Sequence, residues 1–311
     1  MPETDSGLCV TGSAGFIGKH ICTMLAPHWP RLAGLDRAPD PRAPWPTHKA
    51  DIRHIREMQD FASERRGDPM IHMAADAEVL APWSQIPETF GTNLMGTWNL
   101  LTLFEPKLFV FPSTGAVYGN SSMRRALPRP SSVKPLSLYG ASKSTGEILL
   151  RDWTIATGSN AVVLRLGNII GAGCRGLIPF LVHHALRYPE GEVRAELRGH
   201  GKMLRDYTPV EFVASIFRAS LTYPWKPGAL DLFNIGTGFA MTNRDVTRVV
   251  QRVLRRRGLR LECNFNNRVP HSEANEIVLN VESLIRKFDV RPPTREAVEA
   301  SIEASVYSHL V

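Results

Sequence analysis

Leu8-Cys9-Val10-Thr11-Gly12-Ser13-Ala14-Gly15-Phe16-Ile17-Gly18 is the stretch that decides the fold. A short apolar run enters a glycine-rich segment, and helical periodicity takes over from about residue 17 to 26. Glycines spaced three and three let the backbone turn tightly and come close to a pyrophosphate, while the helix N-terminus offers N–H groups and a partial positive charge. Gly12, Gly15, Phe16, Ile17 and Gly18 are therefore candidate cofactor-binding residues. A glycine triplet alone also suits an ordinary turn; here strand, glycines, helix and a later acid come in order.

That acid is Asp36, eighteen residues after Gly18, at the end of the apolar run Leu32 to Leu35. A carboxylate there can accept hydrogen bonds from adenosine ribose hydroxyls and repel a 2′-phosphate, which favours NAD over NADP. Arg37 follows directly and could instead receive that phosphate. Asp51-Ile52 closes a third strand region, where Asp51 could reach an adenine amine or cap the following helix.

Apolar runs at Met70 to Ala74, Leu108 to Pro112 and Ala161 to Leu166 alternate with helical patterns near 54–65, 88–104 and 138–157. This alternation predicts β-α-β units and a Rossmann-type doubly wound parallel α/β sheet. Residues 38–48, rich in Pro, read as a loop. Beyond 167 the pattern loosens, with helices expected near 177–187, 210–221, 242–257 and 295–305 and a strand at 230–235. The expected division is 1–167 as a dinucleotide-binding domain to which 208–236 returns, with 168–207 and 237–311 as a smaller interleaved lobe.

The strongest local chemistry is Tyr139-Gly140-Ala141-Ser142-Lys143. Four residues apart on a helix, Tyr139 and Lys143 share one face. A phenol near pKa 10 is a poor base at neutral pH; a nearby ammonium and a positive nicotinamide are expected to lower it. Tyr139 could then take a proton from a sugar hydroxyl, and Lys143 could also hold the nicotinamide ribose. Thr114, at the end of an apolar run, could donate to the substrate oxygen, and Ser113 is the neighbouring candidate; either could instead be a strand-end hydroxyl satisfying backbone.

The chain has 311 residues, a net charge of +7, 43% apolar and 22% charged residues, ordinary for a globular protein. The basic residues are scattered, and the one tight run, Arg255-Arg256-Arg257, follows a helical pattern and precedes Gly258, as a cationic last turn does. No nucleic-acid partner is expected. Four cysteines form no C-x-x-C pair, and ten histidines show no metal-ligand spacing, so neither disulfide nor metal is expected. No apolar run is long enough to span a bilayer, and the N-terminal residues lack a signal-peptide pattern; a cytoplasmic protein is expected.

TGSAGFIG at 11–18, Asp36, Asp51, HMAA at 72–75, NLMGT at 93–97, STGAVYG at 113–119, YGASK at 139–143, RLGNIIG at 165–171, RDYTPV at 205–210 and FNIGTG at 233–238 together resemble the extended short-chain dehydrogenase/reductases, in their nucleotide-sugar epimerase/dehydratase branch. The resemblance implies Thr114, Tyr139 and Lys143 as catalytic residues and Ala74 and Asn93 as residues on the cofactor side, Asn93 in a structural or proton-relay role. It also implies Asn168, Arg205 and Arg268 as nucleotide-diphosphate contacts, NAD as cofactor, a nucleotide sugar (a UDP-sugar first) as substrate, and a homodimer built on the Tyr/Lys helix and its neighbour near 88–104.

The branch's dehydratases carry an acid two positions after the catalytic Thr; this chain has Ala116 there, closer to the UDP-galactose 4-epimerase-like members. Two departures stand in the lobe: Phe212 replaces an acid after RDY, and His271 replaces the acid that follows Arg268. A 4-epimerase is the leading expectation. A net sugar dehydrogenase or 4-ketoreductase, and a non-catalytic dinucleotide sensor, are the alternatives.

Overall fold

The computed structural model describes residues 7–120, 133–268, 271 and 273–310. The first half runs Leu8–Thr11 (β1), Phe16–Leu25 (α1), Leu32–Asp36 (β2), Thr47–Lys49 (β3), Ile55–Glu64 (α2), Met70–His72 (β4), Ile86–Phe90 (α3), Gly96–Phe104 (α4), Leu108–Thr114 (β5), Leu138–Thr157 (α5) and Asn160–Leu166 (β6). The second half adds Asn168–Ile170 (β7), Leu177–Arg187 (α6), Ala195–Leu197 (β8), Leu204–Arg205 (β9), Tyr207–Pro209 (β10), Val210–Thr222 (α7), Leu230–Ile235 (β11), Met241–Thr242 (β12), Asn243–Arg255 (α8), Cys263–Phe265 (β13), Glu276–Ile277 (β14), Glu282–Phe288 (α9) and Arg295–Ser308 (α10).

Seven strands make one sheet in the order β11-β6-β5-β4-β1-β2-β3, parallel throughout. The strand order reverses between β1 and β4, and that switch point is where open sheets of this kind bind ligands. The strands read as continuous apolar runs because both faces are covered. Period-two alternation splits them: Leu8, Val10, Leu108, Val110, Val162 and Leu164 pack toward α1 and α7, while Cys9, Phe109, Phe111, Ala161 and Val163 pack toward α2, α4 and α5. A separate core joins α6, α8 and α10 through Leu181, Val182, Val246, Val250, Val298 and Ile302.

Several expectations change. Residues 88–104 are not one helix: α3 and α4 flank a π-helical turn at Gly91–Met95. That turn shifts the helical phase, so Leu101 is buried while Trp98 lies 48% exposed. The loop expected over 38–48 ends in β3, which pairs with β2. The strand at 70 stops at His72, and β5 continues to Thr114. The arginine run does close α8, with Gly258 behind it at φ +74°, and Arg252 and Arg256 pair with Glu303 of α10. All four cysteines are free thiols. Among the described residues no helix is long and apolar enough to cross a membrane, and no cluster of potential metal ligands occurs.

Candidate active site

A cleft of about 1470 Å³ opens along the carboxyl ends of the strands. Its floor is the glycine loop. Gly12 sits at φ +66°, and a Cβ there would lie 2.5 Å from the Ala74 nitrogen; at Gly18 a Cβ would lie 2.1 Å from the Gly12 oxygen. Both positions need glycine, the first for conformation and the second for the close approach of α1 to the loop. Gly15 caps α1 with no side chain on the exposed N–H groups, which leaves them to a ligand. Phe16, Ile17, Ala74 and Arg37 line the same space.

Asp36 is held at the rim by two backbone donors, Ala14 N to Oδ2 and Ala38 N to Oδ1, both 2.9 Å. Asp51 and Ile52 also line the cleft, but Asp51 does not cap the next helix, whose N-cap is His54. The Arg53 guanidinium holds the Asp51 carboxylate at 2.7 Å and lowers its pKa to about 2. Behind the loop, buried His72 bridges the Thr11 and Thr97 hydroxyls at 2.7 and 2.9 Å. Burial keeps this imidazole neutral by pushing its pKa well down, and the Lys143 charge adds to the effect.

Ser137 N-caps α5, accepting from Gly140 N at 3.1 Å, and sets Tyr139 and Lys143 on the face toward the cleft. The Tyr139 phenol hydrogen-bonds the Thr114 hydroxyl, which also accepts from Ala116 N at 3.2 Å. The expected lowering of the phenol is not what the protein imposes. Loss of water pushes Tyr139 up to about 12; the Thr114 bond opposes this and the Asp76 charge adds to it. Burial likewise brings the Lys143 amine down to about 7, against the opposing charge of Glu147. Lys143 is 2% exposed, with Nζ 4.6 Å from the centre of the Phe111 ring. It makes no ion pair or hydrogen bond among the described residues.

The other candidates separate. Ser113 lies at the cleft but its hydroxyl is committed to Glu147 Oε1 at 2.5 Å, so it is not a free substrate donor. Asn93 is buried in the π turn behind the cleft wall. Its amide accepts from Asp76 N and donates to Asp76 O and the Ser142 hydroxyl, so that it ties α5 and the segment after β4 together and does not line the cleft. Asn168 lines the cleft from the start of β7. Arg205 lines it too, but is held by Glu273 at 3.1 Å and by the Leu204 and Asn275 carbonyls. Arg268 is exposed and does not line the cleft; its carbonyl accepts from Gly199 N.

Three acids have a part that the sequence does not show. Asp76, directly after HMAA, lines the cleft and takes a 2.6 Å bond from Thr89. Glu273 is the partner of Arg205. Asp206, fully buried, gathers Thr237 N and Oγ1, Gly238 N and Leu279 N, tying two separate motifs together. Only RDY and GTG were visible in sequence; their meeting is tertiary.

The open N–H groups, the rim carboxylate of Asp36 and the buried Lys143 amine opening on one cleft fit a dinucleotide cofactor. Comparison with known proteins agrees. A Rhizobium meliloti UDP-glucose 4-epimerase is 28% identical, over 81% of this chain and 83% of its own. An Escherichia coli dTDP-4-dehydro-6-deoxyglucose reductase is 24% identical, over 94% of each. The structure of a Thermus thermophilus UDP-glucose 4-epimerase in complex with NAD superposes with a TM-score of 0.82 at 26% identity, covering 96% of this chain and 98% of that one. Residues 8–236 match the model described as the NAD dependent epimerase/dehydratase family, and the chain belongs to that family.

Proposed function

We propose that this chain epimerises a nucleotide sugar, a UDP-sugar first, at C4 through a transient 4-keto sugar. The observation that carries the reading is the meeting of Thr114, Tyr139 and Lys143 in one cleft with the glycine loop, next to Ala116 rather than an acid. A methyl group cannot move a proton during elimination, so a dehydratase route lacks its acid at that position.

Thr114 holds O4 of the sugar by its hydroxyl. Tyr139 takes the O4 proton and later returns it. Lys143, desolvated beside Phe111, supplies the positive charge that a phenolate needs. Bound NAD supplies a reversible acceptor for the C4 hydride, so the sugar can turn over with no net use of cofactor. Arg205 and Asn168 sit toward the diphosphate. Met95, Trp98, Ile148 and Ile155 are exposed on the π turn, α4 and α5, and we place the contact of a homodimer there.

A net oxidoreductase is the second reading, favoured by Arg37 at the cleft beside Asp36. The two are separated by watching the reduced-nicotinamide absorbance during incubation with UDP-glucose and UDP-galactose. Epimerisation changes the sugar many times over while that band moves by less than one equivalent per protomer. A band that moves in step with product establishes the oxidoreductase instead.

A further inference from the structure

We propose that Glu147 is a positioning residue of this site: fixed by Arg165, its carboxylate anchors Ser113 beside Thr114 and presents the negative charge that Lys143 faces one turn back along α5. The proposal rests on the reading of Thr114, Tyr139 and Lys143 as the working groups.

The geometry is closed on every side. Arg165 on β6 is fully buried, and its guanidinium meets Glu147 in a two-pronged pair, Nε to Oε1 at 2.9 Å and Nη2 to Oε2 at 2.6 Å. Ser113 Oγ donates to the same Oε1 at 2.5 Å. Arg165 also stacks on Tyr118, 4.8 Å from the ring centre, and the Tyr118 hydroxyl donates to Asn234 Oδ1 at 2.5 Å. One carboxylate therefore joins β5, α5 and β6 directly under the cleft. Two of the residues next to it in space or sequence do chemistry: Thr114 follows Ser113, and Lys143 precedes Glu147 by one helical turn.

A buried ion pair is no strong evidence of stabilisation, because desolvation offsets the attraction. Its placement needs another reason, and Lys143 supplies it. The Phe111 ring on β5 lies against Lys143 and neutral His72 on β4 feels its charge; on its own helix Tyr139 lies one turn before it and Glu147 one turn after it, and the Asp76 charge acts on Tyr139. Glu147 is the acid whose charge acts on the amine, and it favours the ammonium against burial. Arg165 holds that charge in place through the two-pronged pair.

The test reads Lys143 directly. Purified holoenzyme is labelled with trace acetic anhydride across pH, and acetylation of Lys143 is followed by peptide mass spectrometry. Glu147→Gln should lower the labelling midpoint by about one pH unit, roughly tenfold more free amine at a given pH. Glu147→Asp, which keeps the charge, should stay near wild type. Because Glu147→Gln leaves the buried Arg165 charge unneutralised, Glu147→Gln/Arg165→Met serves as the second arm: both charges leave together, and a smaller downward shift should remain. In turnover, the alkaline limb of the pH profile should move down by the same amount. An unchanged Lys143 midpoint in both folded variants overturns the proposal and leaves Glu147 as a tie between helix and strand. Labelling needs no substrate, so silence toward every sugar nucleotide would count against the proposed reaction and not against this one.

Discussion

The two walls of the cleft carry their positive charge differently. The sheet wall presents Lys143, 2% exposed and without an ion pair among the described residues. The opposite wall presents Arg205, almost as buried, yet already held by Glu273 and two carbonyls. The first charge is left for something that enters the cleft. The second is satisfied within the protein, and in its proposed role it would exchange Glu273 for a ligand anion. Substitutions on the sheet wall should therefore strike chemistry, and those on the lobe wall should strike substrate affinity.

The largest effect expected is at Tyr139. Tyr139→Phe should lower turnover by roughly 10²–10⁴-fold, the usual worth of a general base, with NAD content unchanged after gel filtration. Equal loss of bound NAD would mean the phenol serves binding rather than proton transfer.

On the other wall, Arg205→Gln should raise KM by roughly 10- to 100-fold, as expected for losing a charge-assisted hydrogen bond, with kcat little altered. Glu273→Gln should lower KM, since it frees Arg205. Arg268→Gln should change neither. Steady-state kinetics with one UDP-sugar reads all three, and a larger effect at Arg268 than at Arg205 would reverse the assignment.

Lys143 also carries a stability signature. Its amine is brought from 10.5 to about 7 by burial, so between those values the unfolded chain holds a proton that the fold has lost. Stability from this residue thus rises with pH across that window and is least below pH 7. Lys143→Met should raise the thermal midpoint most near neutral pH and not at all above about pH 10. Thermal scans at pH 6.5, 8.5 and 10.5 check the sign; a uniform shift would place the effect in packing. The smallest effect is Arg37→Ala, which should change the preference between NAD and NADP only a few-fold in a binding titration, because Asp36 remains.

What was legible follows the same divide. The glycine loop, Asp36 and the Tyr139/Lys143 pair stand out in the sequence because each depends on spacing along the β1–α1–β2 run or within one helical turn. Ser113 and Asn93 were flagged as residues, yet their bonds go to Glu147 and Asp76, partners fixed only by packing. The π turn at Gly91–Met95 hid behind an unbroken apolar pattern. In the lobe, β9, β12 and β14 span two residues each, too short for alternation to show. Arg268 is placed at the diphosphate by motif position alone, and its position outside the cleft is set by packing that the motif does not carry.

The measurement that tests the central claim most directly is proton NMR of purified protein with UDP-, GDP- and dTDP-sugars, with no cofactor added. The account predicts that the C4 epimer of at least one sugar accumulates far beyond the protein concentration, on NAD the protein already holds. Product that forms only when NAD(P) or NAD(P)H is supplied, and only mole for mole with it, would contradict it.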